Sequence, residues 1–238
     1  ARVFTQERVR HSLTLSKFQL NFTTALMASE RPRSATTALA LGKALLLNGV
    51  NRRHLGRVFK RAHFSVLPHP GKSPLRNAWD GIPTVEVELT KANFHQGLTA
   101  SGSIPMVLEG ESAVAGSPPG HHFDGGLVDY HFEIENANSP ILYPHFSTDP
   151  IPGWLDRFFP YRKVKPLSRE WLCLLVPSAE MIARFALQEF PDRRHFEKLS
   201  TTERKRAWRQ TSQETEKMEA ELALCLDCGE LLKWSEPL

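Results

Sequence analysis

Residues Phe123 to Leu127 read F-D-G-G-L, which sets a carboxylate directly before two glycines. That order restricts what the chain can build around it. Two consecutive residues without a Cβ let the backbone pass close to another element, reach positive φ where needed, and leave space beside the acid. Asp-Gly alone is a common turn dipeptide. Here it follows a second permissive run, Ala100-Ser101-Gly102-Ser103-Ile104-Pro105, in which small residues end in a proline that fixes a turn. The segment Gly97–His131 holds both.

Around this segment, apolar runs of strand length alternate with helical ones. Phe18, Leu20 and Phe22 alternate with polar residues, the period of a half-buried strand. After E-R-P-R-S, Thr36 or Thr37 can cap a helix through LALGKALLLNGV, apolar on nearly all sides and so expected to be well buried. A basic helical segment is expected from Arg52 to Ala62. Thr84 to Leu89 reads T-V-E-V-E-L, with Val85, Val87 and Leu89 on one face. Ser139–Phe146 and Trp171–Val176 are apolar enough for central strands of a sheet covered on both sides. Residues 147–169, rich in proline and aromatics, read as an irregular excursion between them. Ser178 can cap a helix presenting Ile182, Phe185 and Ala186. Ser200-Thr201-Thr202-Glu203 is a capping-box pattern. Beyond it Trp208, Thr211, Thr215, Met218, Leu222 and Cys225 recur at helical spacing to dock one side of a long helix. Strands alternating with helices imply an α/β fold, a sheet flanked by helices.

Composition narrows the function classes. Of 238 residues, 41% are apolar and 24% charged, as in ordinary globular proteins. The most apolar stretch, Ala38 to Val50, is interrupted by Lys43 and Asn48 and falls short of the run of about 18 apolar residues that crosses a membrane. The opening ARVFTQERVRH is charged and has no apolar core of a secretory signal. Cys173, Cys225 and Cys228 are an odd set without a disulfide framework, pointing to a reducing, cytoplasmic setting. The C-x-x-C at Cys225 and Cys228 has no second pair or nearby histidine to make a zinc site, and one member is expected to face a helical core. Residues 1–76 hold 14 Lys and Arg against Glu7 and Glu30. Such a block can attract an anionic membrane surface or nucleic acid; the plainer reading is a solvated face plus ion pairs with the acidic remainder.

The two permissive runs in this order, small-small-x-Ile-Pro and then Asp124-Gly125-Gly126-Leu127-Val128-Asp129, resemble the C-terminal signature of patatin-like phospholipases. Flanking text is similar to a bacterial subgroup of that family: Asn51-Arg52-Arg53-x-Leu55-Gly56, Leu142-Tyr143-Pro144-His145-Phe146, Pro152-Gly153-Trp154 and Pro191-Asp192-Arg193. The resemblance is firm over 97–131 and looser over about 40–196. It implies a patatin-like three-layer sandwich, a mixed sheet flanked by helices and incomplete at the N-terminus. The core would span 14–196 of a single domain, with 197–238 a C-terminal helical extension.

It also implies a chemistry. Asp124 would form a Ser–Asp dyad that hydrolyses acyl esters, with phospholipid or another lipid ester as substrate and no cofactor or metal. Gly125, Gly126, Ser101, Ser103 and Pro105 would line the active-site loop. No G-x-S-x-G occurs in the chain; Gly116-Ser117-Pro118-Pro119-Gly120 misses the pattern, its serine standing second rather than third, and the proline after that serine would forbid a helix start there. The family places its nucleophile N-terminal to the D-G-G, so the serine is expected to precede Ala1 and the isolated chain to be silent. The alternative is an inactive patatin-like module that binds lipid or a protein. Peripheral contact with an anionic membrane is expected, nucleic acid is not. Ser101 and Ser103 are read as local hydrogen-bonders, Asp129 as a turn cap or the partner of a basic residue. His121, His122, Asp124, Asp129 and His131 cluster in sequence, but their spacing matches no helical metal motif; His121 and His122 are expected in a solvated loop.

Overall fold

The computed structural model describes residues 20–29, 34–66, 81–131, 141–164, 172–192 and 194–229. The chain divides into two compact units, one of residues 1–138 and 149–170, the other of 139–148 and 171–238. Among the described residues no helix is long and apolar enough to cross a membrane.

The first unit is built on a mixed five-stranded sheet in the order β3-β2-β1-β5-β4. Its strands are β1 (Asn21–Met27), β2 (Phe59–Ser65), β3 (Thr84–Glu88), β4 (Glu111–Ser112) and β5 (His121–Asp124). β1 is central, antiparallel to β2 with Thr24 opposite Ala62, and antiparallel to β5 with Thr24 opposite Asp124. β3 lies parallel to β2, and β4 is antiparallel to β5. Alternation along β1 builds a core on each face of the sheet. Ala25 and Met27 join Phe59, Phe123, Leu127 and Leu155, with Ala44 of helix α1 (Ser34–Val50). Leu26 points the other way and packs with Ala62, Phe64, Val87 and Phe94, the last from helix α2 (Phe94–Ser101). The architecture is therefore α/β, with one helix against each face.

Three expectations change in this unit. The strand read from Phe18 begins at Asn21, and Phe18 lies outside the described residues. Helix α1 is buried on one side only: Leu39, Leu46 and Val50 are each about three-quarters exposed. The basic segment from Arg52 is not an α-helix. It is a 3-10 turn over Arg52–Arg57, capped by Asn51, followed by β2. Charge disguised this strand, because Arg61 and His63 are buried and alternate with Ala62 and Phe64.

Arg61 is buried because it has a matched partner. Its guanidinium grips Asp129 with both prongs, Nε to Oδ2 at 2.6 Å and Nη2 to Oδ1 at 2.7 Å, and Nη1 donates to Thr84 Oγ1 at 3.0 Å. Arg52 pairs with Asp156 and donates to the Val128 carbonyl. Asn48, near the end of α1, donates to the second oxygen of Asp156 at 2.9 Å. Asp156 stands in a 3-10 turn, Trp154–Phe158, within the stretch read as irregular. Two arginines of the basic block are thus neutralised by the acidic remainder.

In the second unit β6 (Ile141–Pro144) and β7 (Leu172–Leu175) pair with each other, parallel, as a separate two-stranded sheet. They are not central strands covered on both faces: Leu142 and Pro144 are exposed. Three helices follow, α3 (Ala179–Ala183), α4 (His195–Lys198) and α5 (Thr201–Asp227). Ser178 caps α3; Met181 within it and Phe185 just beyond its end are buried, whereas Ile182 is half-buried and Ala186 exposed. Ser200 and Glu203 form the expected capping box. Along α5 only Ala207 and Thr211 are buried, and Trp208 donates to His195 Nδ1 at 3.1 Å. The rest of the helical stripe is half-buried, Cys225 included, and Cys228 is exposed.

Removing one partner of a buried ion pair strands the other's charge. Arg61→Ala should lower unfolding free energy in urea by about 3–5 kcal/mol. Arg194→Ala, which loses only surface pairs with Asp192 and Glu189, should leave the midpoint where it was.

Candidate functional site

Asp124 is the last residue of β5, and the chain turns sharply after it. Gly125–Leu127 form a single 3-10 turn, whose second N–H is met by the acid itself: Asp124 Oδ1 accepts from the Gly126 amide at 2.7 Å. Val128 and Asp129 amides both return to the Gly125 carbonyl, at 2.9 and 2.8 Å. The paired glycines are needed for contact rather than for positive φ. A Cβ on Gly125 would collide with the Thr23 carbonyl of β1, and one on Gly126 would press on the Tyr130 ring and Asp124 Oδ1.

The two permissive runs of the sequence meet here. The Asp124 amide donates to the Ser103 carbonyl at 2.9 Å, which brings the end of α2 against the end of β5. Pro105 is buried. The Ser101 hydroxyl donates to the Leu98 carbonyl and the Ser103 hydroxyl to the Thr99 carbonyl, both at 2.8 Å, the local bonding expected of them. Neither hydroxyl proton is aimed at Asp124.

Among the described residues, three aspartates lie in or near this core, and they differ in one respect. Asp129 and Asp156 are each neutralised by arginine. Asp124 forms no ion pair among the described residues, and its Oδ2 accepts no hydrogen bond from them. Its half-burial raises the pKa above the ordinary carboxylate value, against the opposing pull of the Gly126 N–H. A carboxyl of this kind is a stronger base than a surface aspartate and has a lone pair to offer.

Flanking motifs converge on the same turn. Gly153 of Pro152-Gly153-Trp154 has no room for a side chain, because a Cβ would lie 2.6 Å from the Val128 carbonyl and 2.9 Å from Arg52 Nη1. Pro152 accepts the Tyr130 amide at 2.8 Å. Arg52, Val128 and Gly153, distant in sequence, thus close around the exit from the glycine turn. Arg61, the main partner of Asp129, went unread as part of this assembly, since an isolated Lys-Arg pair in sequence resembles solvated charge.

The histidines require a correction. His121 and His122 are buried strand residues rather than members of a solvated loop. They point to opposite faces of β5, where His122 Nδ1 lies 2.7 Å from Thr24 Oγ1 and Nε2 lies 2.9 Å from Ser117 Oγ. His121 Nδ1 lies 2.6 Å from Ser112 Oγ, and its other nitrogen meets the Glu109 carbonyl. Burial, with the neighbouring His121, pushes the His122 pKa down to about 4; burial and Arg61 do the same to His63. Among the described residues no three His, Cys, Asp or Glu side chains gather as a metal-ligand set.

No family model matches this chain, and neither does any curated protein or solved structure.

Gly125→Ala should cost about 2 kcal/mol or more, read as a lowered midpoint in thermal melting, because the obstructing atom is backbone. Stability should also depend on pH through His63 and His122. Both are neutral in the fold and titrate near 6.5 once unfolded, so the unfolded chain binds more protons between about 6.5 and 4. Their contribution is whole above that window and is lost as pH falls through it, by roughly 2–3 kcal/mol each. Asp124 acts in the opposite sense, its raised pKa favouring the fold when protonated. Urea titrations across pH 4–7 should show the decline, and His63→Gln with His122→Asn should flatten it.

Proposed function

We propose that this chain supplies the catalytic carboxylate of a patatin-like serine acyl-ester hydrolase acting on phospholipid or related lipid esters. The observation that carries the reading is Asp124 itself: half-buried at a strand end, held by one backbone N–H, with an elevated pKa and, among the described residues, no cation paired with it. The α/β architecture, with a helix on each face of a mixed sheet, agrees with a three-layer patatin-like sandwich. So does the junction of Ser103 with Asp124, which unites the two stretches that carry the resemblance.

In this reading Asp124 accepts the hydroxyl proton of a serine as that serine attacks the ester carbonyl. The tetrahedral intermediate collapses when the proton passes to the departing alcohol, leaving an acyl-serine. Asp124 then takes a proton from water as the water attacks the acyl-serine, and returns it to the serine oxygen as the carboxylic acid leaves, restoring both groups. Gly125 and Gly126 keep bulk away from the carboxylate. Ser101 and Ser103 line the approach through their backbone and are not nucleophiles, since both hydroxyls donate to carbonyls of α2. The 238 residues contain no G-x-S-x-G, so in this reading the nucleophilic serine comes from another stretch of polypeptide.

In a polypeptide that also supplies such a serine, Asp124→Asn should reduce ester turnover by about a thousandfold or more while leaving circular dichroism and melting unchanged. Wild-type turnover in this variant refutes the assignment.

A further inference from the structure

Beside Asp124, four large apolar side chains in the turn after α2 face outward: Ile104 (37% exposed), Met106 (56%), Val107 (62%) and Leu108 (53%). The turn begins at Ser103, whose carbonyl holds the Asp124 amide. An apolar loop in water ordinarily folds back on itself, but this one is anchored at both ends. On one side Ser103 and Pro105 are buried, and the Ser103 hydroxyl is bonded to Thr99. On the other, the His121 ring meets the Glu109 carbonyl. Gly110 follows at φ 78°, where a Cβ would lie 2.5 Å from the His122 carbonyl. Met106 itself has φ 69°, a left-handed conformation unfavourable for any residue with a side chain. The fold thus holds these side chains out against both strain and hydration.

Two further features identify what they meet. The Val107 and Leu108 amides both donate to the Ile104 carbonyl, at 3.2 and 2.9 Å, so these two N–H groups can enter an apolar phase without being stranded. Residues 101–112 contain Glu109 and Glu111 but no Lys or Arg, so the turn has no attraction for anionic headgroups. We propose that Ile104–Leu108 is an interfacial anchor that seats the Asp124 end of the sheet in a zwitterionic lipid surface. This deepens the lipid-ester reading of Asp124 and rests on it, yet it can be measured without turnover.

The test is flotation of the 238-residue chain with phosphatidylcholine vesicles, at low salt and at about 0.5 M salt. The chain should bind, and salt should not weaken binding. Met106→Asp combined with Val107→Asp should lower partitioning at least about tenfold while the melting curve is retained, since both side chains are exposed. Asp124→Asn should bind as the wild type does. Absence of wild-type binding overturns the proposal, as does undiminished binding by the double variant. So does binding that requires anionic lipid and fades with salt, or a double variant that loses self-association in sedimentation while still floating. If Asp124→Asn keeps turnover in the serine-bearing polypeptide while flotation still follows the turn, the hydrolase reading fails and the anchor stands.

Discussion

The bidentate pair between Arg61 and Asp129 holds the Asp124 end of this sheet together. It joins β2 to the exit of the glycine turn across the intervening strand β1, and both partners are almost fully buried. Buried charges of this kind are costly unless they are paired. Here the matching extends through Arg52 to Asp156 and Asn48, so α1, the first 3-10 turn and the Trp154–Phe158 turn are brought to the same place. Because two acids are neutralised in this way, the third stands apart. The chemistry proposed for Asp124 depends on that contrast as much as on its own surroundings.

Local pattern revealed the parts of the fold whose signals are local. The alternation in T-V-E-V-E-L, the Ser178 cap and the capping box at Ser200 are properties of a few neighbouring residues, and each appears where the sequence places it. β2 was hidden because its inward positions include Arg61 and His63, whose burial follows from partners supplied elsewhere in the fold. The same cause misplaced His121 and His122: two imidazoles beside glycine and proline resemble a loop until Ser112, Ser117 and Thr24 are brought to them. Apolar runs misled in the opposite direction. Ile141–Pro144 and Leu172–Leu175 have strand composition, yet they form a separate ribbon with one side open.

The site itself was half legible. Gly125 and Gly126 could be read as sites of close approach, but not that the approaching groups would be the Thr23 carbonyl and the Tyr130 ring. Ser103 could be placed near Asp124 only through resemblance, since no spacing rule brings the end of a helix to the end of a strand. The outward set of Ile104, Met106, Val107 and Leu108 was not legible, because sequence does not distinguish an inward from an outward side chain.

The strand order has a consequence for how such a chain folds. β1 neighbours β2 and β5, and its pairing with β5 closes about a hundred residues of chain. Loop closure over such a span is entropically slow, whereas β1 and β2 meet across a much shorter one. On a ribosome, β1, α1 and β2 emerge and can pair well before Asp124 is synthesised. The acid end is therefore added to a sheet already begun, and nascent chains should hold an open β1 edge until β5 arrives, a natural binding point for a chaperone.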